Sequence, residues 1–280
     1  MSKKVLALGG RGKIGSVLVD KLNKSGYVVE SYSKSEGGDI RDVDKVNKSI
    51  SRNDLIVHLT AKQGLSKDWK EFWEINVEGT KNVLDACIRF KKRLIYVSTI
   101  MVFKDTGNKL ADEKWNIRER KSGNYYVDSK VEALKLVKNY QKKLDIAVVY
   151  PTIVLDKKSI KDGQKPGRWM SLIGNKNRIV NIVWMDDLVD GLVKLIKSEK
   201  KGDYILGGFN IKVDDYLELL KVLKCPRVPY WLIILLNKFV FLLPGILKEL
   251  VKSPLGNMNF SSKKAKKELK YKISEFNNIW

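Results

Sequence analysis

Two side chains near the middle of the chain have types and a spacing that suit proton transfer. Tyr126 and Lys130 are four positions apart in a stretch with helical periodicity, so both lie on one helix face. A nearby ammonium favours phenolate, and we expect Lys130 to lower the pKa of Tyr126 from its usual value of about 10. Such a tyrosine can exchange a proton with a substrate hydroxyl. Tyr125 is a rival, but its spacing of five turns it away from Lys130.

A hydroxyl pair ends a predicted strand in the segment VSTIMVF, residues 97–103. Side chains at the carboxyl edge of a parallel sheet face the ligand crevice, so Ser98 or Thr99 can hydrogen-bond a substrate oxygen there. Serine and threonine also end strands without any chemical role, and Tyr-x-x-x-Lys alone is common on helices. The polar side chains therefore indicate an enzyme only if the chain also builds a cofactor site.

The segment GGRGKIG, residues 9–15, supplies a candidate cofactor site between an apolar run and a helical stretch. Glycine tolerates positive φ and lets a pyrophosphate approach the main chain closely. Backbone N–H groups at a helix N-terminus bind anions. We therefore predict a dinucleotide contact at Gly9, Gly12, Lys13, Ile14 and Gly15.

Apolar runs alternate with amphipathic segments through the first 151 residues. Nearly continuous apolar strands between helices indicate a parallel sheet that is covered on both faces. Strands are predicted at 5–8, 27–32, 54–61, 93–99 and 145–151, and helices at 14–22, 42–50, 72–90 and 125–143. The second half is less regular, with a strand and helix over 178–198, a strand at 202–208, and helices at 213–223 and 261–271.

The pattern predicts an α/β fold, a doubly wound parallel sheet of the Rossmann type with a smaller C-terminal substrate lobe. Residues 1–150 would form the dinucleotide-binding domain, with 178–208 returning to it, and 151–280 would form the substrate lobe.

Asp186 and Asp187 are interpreted as a helix cap and packing feature, and we expect no metal site. The single histidine, His58, is expected at a strand end with satisfied hydrogen bonds.

The charge balance indicates an anionic partner. There are 54 Lys+Arg against 32 Asp+Glu, a formal net charge of +22, which suits a nucleotide or an anionic membrane. The lysines are scattered, so we expect no nucleic-acid binding. Cys87 and Cys225 are far apart, which predicts a reduced, cytoplasmic setting.

The apolar segment 228–247 is about long enough to span a bilayer. Since Asn237 and Lys238 lie at its centre, we predict a buried or surface helix, with peripheral contact at the inner membrane face as the alternative.

Several of these motifs, in order, resemble the extended short-chain dehydrogenase/reductases, the NAD(P)-dependent sugar-nucleotide epimerase/dehydratase group. The resemblance covers nearly the whole chain. The glycine turn is similar to the family's phosphate turn, and VSTIMVF is similar to its VSSxxVYG segment. Further similar segments are GDIRD (38–42), VHLTA (57–61), NVEGTKNVLDAC (76–87), VYPTIVLD (149–156), WMDDLVDGL (184–192) and the tail SSKKAKKELKY (261–271).

The resemblance implies a role for each site residue. Tyr126 would be the acid/base, Lys130 would lower its pKa and bind ribose, and Thr99 would position the substrate oxygen. The substrate would be a nucleotide-diphosphate sugar, and a homodimer would form through helices 72–90 and 125–143. Further cofactor contacts are expected at Ser33, Lys34, Asp39, Ile40, Leu59, Ala61, Asn76 and Pro151.

Departures from the family pattern bear on the cofactor and the reaction. Ser33 stands where NAD-preferring members carry an Asp, and Lys34 follows it, which favours NADP. Ile100 and Met101 stand where dehydratases carry acids, so we expect a 4-epimerase or a 4-keto reductase rather than a 4,6-dehydratase. Two alternatives remain: a membrane-associated enzyme acting on a lipid-linked sugar or sterol-like alcohol, and a non-catalytic NAD(P)-binding regulator.

Overall fold

A computed structural model of the chain describes residues 3–64, 68–120, 122, 124–161, 177–221, 232 and 256–275. Within these residues the strands are β1 Lys4–Leu8, β2 Val28–Tyr32, β3 Leu55–His58, β4 Arg93–Val97, β5 Ile146–Pro151, β6 Ile153–Leu155, β7 Ile179–Trp184, β8 Gly202–Leu206 and β9 Phe209–Lys212. The helices are α1 Lys13–Lys24, α2 Val43–Ser51, α3 Trp69–Phe72, α4 Gly79–Arg89, α5 Tyr125–Tyr140, α6 Lys157–Lys161, α7 Met185–Ser198, α8 Val213–Leu219 and α9 Lys263–Leu269. A π-helical segment, Trp73–Glu78, joins α3 to α4.

Six parallel strands form the main sheet in the order β2-β1-β3-β4-β5-β8. From β1 the chain first adds β2 on one side and then crosses to add β3 on the other. The strand order therefore reverses beside β1. Ligands of open α/β sheets bind outside the carboxyl ends of the strands at such a switch point. Leu8 is level with Tyr32 and His58 in the register, so these strand ends meet at one edge.

Alternate residues of the buried strands face two separate helix layers. Leu6 and Leu8 belong to the core under α2, α4 and α5, whereas Val5 belongs to the core under α1, α7 and α9. Both faces are thus covered, which is why the strands read as continuous apolar runs. The predicted α/β fold with a doubly wound parallel sheet is confirmed.

A second, three-stranded sheet has the order β6-β7-β9. β7 pairs parallel with β6 and antiparallel with β9, and Trp184 and Tyr216 lie in its core with α8. Of the segment 178–208, β8 joins the main sheet and β7 joins this second sheet. The sequence did not predict β6, α6 or β9, because elements of three to five residues show no usable periodicity.

The apolar segment 228–247 lies outside the described residues, except for residue 232. Among the residues that are described, no helix is long and apolar enough to cross a membrane. Contact between 228–247 and a membrane therefore stays a prediction.

Candidate active site

A cavity of about 770 Å³ opens at the carboxyl ends of β1, β3, β4 and β5. Every site residue predicted from the sequence lines it except Asn76. The lining residues from that set are Gly9, Gly12, Lys13, Ile14, Gly15, Ser33, Lys34, Asp39, Ile40, Leu59, Ala61, Thr99, Tyr126, Lys130 and Pro151.

The glycine turn requires glycine at two of its positions for steric reasons. Gly9 has φ +86°, in the left-handed region, and a Cβ there would lie 2.9 Å from the backbone nitrogen of Thr60. A Cβ on Gly15 would overlap the carbonyl oxygen of Gly9, because α1 packs directly against the turn. The turn therefore brings the start of α1 closer to the ends of β1 and β3 than any side chain would allow.

The N-terminus of α1 faces this cavity without a protein group to cap it. Gly12 is the N-cap residue and has no side chain, and no acidic residue lies in the first turn. The first N–H groups of a helix have no partner within the helix and form the positive end of its dipole. Here Lys13 and Ile14 line the cavity, so their end of the helix suits an anionic ligand.

The end of the cavity beside β2 is exposed and carries positive charge. The backbone N–H of Arg11 donates to Ser33 Oγ at 3.0 Å, and its Nε donates to Glu36 Oε1 at 2.6 Å. Glu36 also accepts from Ser31 Oγ at 2.7 Å; this hydrogen bond, together with Arg11, lowers the pKa of its carboxyl. Sequence reasoning missed Arg11, although its position inside the glycine turn was the available signal.

Asp39 is held through both its backbone and its carboxylate. Tyr32 donates its hydroxyl to the Asp39 carbonyl at 2.8 Å and accepts from the Asp39 N–H at 3.1 Å. The Asp39 carboxylate is bound by Arg41, whose guanidinium lowers the pKa of that carboxyl. The carboxylate is thus neutralised within the protein, while the main chain beside Ile40 stays at the cavity wall.

The other end of the cavity holds Thr99 and Lys130, which are buried, and Tyr126, which is partly buried. Asn124 caps α5 by accepting from the Val127 N–H at 3.1 Å, which places Tyr126 in the first turn. The Thr99 hydroxyl lies near the Tyr126 phenol and lowers the pKa of that phenol, against the effect of burial. The three side chains that the sequence predicts to take part in the reaction therefore meet at one point, beside the carboxyl ends of β4 and β5.

Burial shifts both titratable groups of this set. It raises the pKa of Tyr126 to about 12, an effect that the nearby Thr99 hydroxyl opposes. It lowers the pKa of Lys130 to about 7. The predicted net lowering of the Tyr126 pKa is therefore wrong for this structure, because burial of the phenol dominates. Lys130 is itself desolvated and donates to the Val97 carbonyl oxygen, at 3.0 Å.

Asn76 acts behind the cavity wall, from the π-helical segment. Its Oδ1 accepts from the Lys62 N–H at 2.7 Å, and its Nδ2 donates to the Lys62 carbonyl at 3.1 Å. The same Nδ2 donates to Ser129 Oγ at 2.8 Å, and Ser129 donates to the Tyr126 carbonyl at 2.8 Å. Asn76 thus joins the loop after β3 to the first turn of α5, and we call this group the Asn76 clamp.

His58 lies fully buried beneath the site. Its Nε2 is 3.1 Å from Thr80 Oγ1, and that hydroxyl donates to the Asn76 carbonyl. His58 Nε2 is therefore the donor, while Nδ1 has no partner among the described residues. The predicted satisfaction of its hydrogen bonds holds for one nitrogen only. Burial, with the nearby Lys130 charge, lowers the pKa of His58 to about 3, so the ring is neutral.

Further cavity residues lie outside the assigned set of site residues, although the sequence offered Ser98 as an alternative to Thr99. Ser98 Oγ and Thr152 Oγ1 are buried without a hydrogen-bond partner among the described residues, at the ends of neighbouring strands. Lys62 and Glu71 form an ion pair of 2.7 Å in the wall. The strand-end positions of Ser98 and Thr152 were the only signal for them, whereas nothing local marks Lys62 or Glu71. Unpartnered buried hydroxyls fit a site that takes a polar ligand.

The chain is similar to a known protein family and to individual known proteins. Residues 5–155 match the model of the NAD dependent epimerase/dehydratase family. The UDP-N-acetyl-alpha-D-glucosaminuronate decarboxylase of Bacillus cytotoxicus is 29% identical over 123 residues, which are 37% of this chain and 38% of the relative. The sterol-4-alpha-carboxylate 3-dehydrogenase, decarboxylating, of Mus musculus is 24% identical over 286 residues, covering 89% of this chain and 78% of the relative.

A solved structure shows the same fold along nearly the full chain. The UDP-glucose 4-epimerase of Thermus thermophilus, in complex with NAD, superposes with a TM-score of 0.74 at 19% identity. The superposition covers 99% of this chain and 96% of the epimerase. At this identity the likeness shows a shared fold.

Proposed function

Because the chain belongs to the NAD-dependent epimerase/dehydratase family, we propose that it oxidises and reduces a sugar carbon of a nucleotide-diphosphate sugar. The chain is an NAD(P)-dependent enzyme of the extended short-chain dehydrogenase/reductase type. One observation carries the proposal: the glycine turn and the Thr99, Tyr126 and Lys130 side chains line a single cavity. The name of the Bacillus cytotoxicus relative, a UDP-sugar enzyme, supports the substrate class.

The cavity has the features that a dinucleotide needs. The uncapped start of α1, with Gly12 as its N-cap, would hold the pyrophosphate, and the main chain at Asp39 and Ile40 would lie against the adenine. The unpartnered hydroxyls of Ser98 and Thr152 would bind polar groups deeper in the cavity. A bound nicotinamide supplies the hydride acceptor and donor for the reaction.

Tyr126 is the proton donor and acceptor in this proposal. With a pKa of about 12 the phenol is protonated at neutral pH, so it is ready to protonate the oxygen of a ketone that is being reduced. The Thr99 hydroxyl lines the same cavity as the phenol and can hold the same substrate oxygen in place. In the oxidative direction Tyr126 must first be a phenolate, which its buried surroundings disfavour.

Lys130 makes the phenolate accessible. Its ammonium has three N–H donors, one of which is taken by the Val97 carbonyl. An ammonium on the same helix face stabilises a phenolate on Tyr126 most strongly in a site without water, where charges interact strongly. Since the pKa of Lys130 is about 7, this stabilisation grows as the amine takes up a proton.

The remaining choice is between a 4-epimerase and a 4-keto reductase. An epimerase returns the hydride to the other face of the same sugar, whereas a reductase releases its oxidised cofactor. Ile100 and Met101 follow Thr99, so the carboxylates that a 4,6-dehydratase would use are absent from that turn. NADP is favoured because Arg11 and Lys34 place cations beside Ser33, where a 2′-phosphate would lie.

The first test concerns the protein as purified. We expect denaturation to release a tightly held nicotinamide if the protein is an epimerase, and an empty protein that binds NADPH at micromolar concentration if it is a reductase. Titrations with NADPH and NADH, followed by assays with UDP- and dTDP-sugars, separate these cases. If neither nicotinamide binds, the enzyme proposal fails and the glycine turn is only a tight connection.

A second candidate substrate is a sterol-like alcohol or a lipid-linked sugar. It is favoured by the extent of the match to the Mus musculus sterol dehydrogenase, 89% of this chain, against 37% for the decarboxylase. Oxidation of a 3-hydroxysterol, together with pelleting on anionic vesicles at low salt, would support it over the nucleotide sugar. A non-catalytic regulator would instead keep its biological effect when Tyr126 is replaced by Phe.

A further inference from the structure

Tyr96 is a fully buried side chain in contact with Lys130, one of the three residues proposed to carry out the reaction. It lies on β4, two residues before Ser98, and none of its surface is exposed. The Lys130 Nζ lies 4.6 Å from the centroid of its ring. This distance is within the range of a cation–π interaction, which is strongest where water is excluded.

The position of the Lys130 ammonium is fixed from two sides. The Val97 carbonyl accepts one N–H at 3.0 Å, and the face of Tyr96 lies under the same nitrogen. Val97 and Tyr96 are adjacent on one strand, so a single segment of β4 supplies both contacts. The third N–H is left for a group in the cavity, which Lys130 lines.

We infer that Tyr96 is a positioning residue, whose ring face holds the Lys130 ammonium so that one N–H is directed to the ligand. This inference rests on the proposed function only for the identity of that ligand, a hydroxyl of the cofactor ribose. The arrangement of Tyr96 and Lys130 itself is independent of which substrate is used.

The surroundings of Lys130 leave the ring as its main favourable partner besides Val97. His58, whose ring centroid is 5.6 Å from that of Tyr96, is neutral and contributes no negative charge. Tyr126, on the same helix, is protonated at neutral pH. No carboxylate among the described residues forms an ion pair with Lys130. Loss of the ring would therefore destabilise the charged amine.

The test compares variants that keep or remove the aromatic ring. Tyr96→Phe keeps the ring and loses the hydroxyl, whereas Tyr96→Leu removes the ring. The full chain is labelled with ¹³Cε-lysine, and the Lys130 signal is the one missing from Lys130→Met. Its chemical shift is followed from pH 5 to 10, without cofactor or substrate.

We expect the midpoint of the Lys130 titration to be the same in wild type and Tyr96→Phe. In Tyr96→Leu it falls by about one pH unit, equivalent to a tenfold change in the protonation equilibrium. NADPH affinity at pH 7 then falls about fivefold in Tyr96→Leu, because the protonated fraction of Lys130 falls from about one half to about one eleventh, and less than twofold in Tyr96→Phe. If Tyr96→Leu does not fold, Tyr96→Met supplies an unbranched side chain without a ring.

An unchanged midpoint in Tyr96→Leu or Tyr96→Met would overturn the inference, and so would an equal shift in Tyr96→Phe. Failure of the proposed function looks different. In that case neither nicotinamide binds the wild type, while the lysine titration still reports whether the ring holds Lys130.

Discussion

The two ends of the cavity place positive charge in opposite surroundings, one exposed to water and one buried. At the β2 end, Arg11 has a side chain that is 66% exposed, and it is paired with Glu36 on the surface. At the other end Lys130 is 3% exposed and has no carboxylate partner among the described ion pairs. In water a charge attracts an anion and is screened by salt. In a buried site the charged form of the same group is destabilised, so the pKa of the group shifts away from its usual value.

Substitutions should therefore be most harmful at the buried end. At the exposed end a cation contributes a surface interaction of modest strength. At the buried end, burial shifts the pKa of Tyr126 upward and that of Lys130 downward. The contrast is tested most directly by substitutions of similar size at the two ends, beginning with the one that should reduce activity most.

Tyr126→Phe removes the phenolic proton and leaves the ring. We expect kcat to fall by about 10²–10⁴-fold, because general acid–base catalysis contributes that much, while NADPH affinity changes by less than about threefold. Tyr125→Phe, on the adjacent position, is the matched control and should retain most activity. Full activity of Tyr126→Phe would show that the buried end does not perform the proton transfer.

Gly15→Ala should disturb both ends of the cavity, because it displaces the glycine turn or the start of α1. Its Cβ would overlap the Gly9 carbonyl oxygen, so either the turn or α1 must move. We expect NADPH affinity to fall at least tenfold and the protein to lose about 1–3 kcal/mol of stability. Isothermal titration and thermal unfolding measure the two effects. Ser16→Ala, exposed on the same helix, is the control and should change neither.

The buried amine of Lys130 should make stability depend on pH. An unfolded lysine holds its proton up to about pH 10.4, whereas the folded protein releases it near pH 7. Between these values the unfolded state binds more protons, so the free energy of unfolding rises with pH, by at most about 1.4 kcal/mol per pH unit. Denaturant unfolding at pH 7 and 9 should show this rise in wild type relative to Lys130→Met. A parallel pH dependence in both proteins would mean that Lys130 is charged throughout.

The exposed end should show the smallest effect. Lys34→Ala is expected to weaken NADPH binding about three- to tenfold and NADH binding hardly at all, because only NADPH carries a 2′-phosphate. The effect should shrink as salt rises. Lys24→Ala, an exposed lysine at the far end of α1, is the control. Equal loss of NADPH and NADH affinity would argue against a 2′-phosphate site beside Ser33.

Patterns along single elements were enough to predict the main sheet and the glycine turn. Most strands of the main sheet are apolar runs, and the turn is visible in its glycines. Tertiary relations were harder to predict. The pKa of Tyr126 depends on how deeply α5 is buried, which spacing to Lys130 does not reveal. Arg11 acquires its position only through Ser33 and Glu36, residues more than twenty positions away.

The Asn76 clamp has a consequence for how such a site can change over time. Asn76 binds Lys62 through the backbone N–H and carbonyl, which every residue type except proline offers alike. The side chain at position 62, which forms the ion pair with Glu71, takes no part in this contact. It can therefore be exchanged while the Asn76 clamp keeps the course of the loop and the position of Tyr126. New substrate preferences can arise along this loop by single substitutions, without passing through variants that have lost the chemistry.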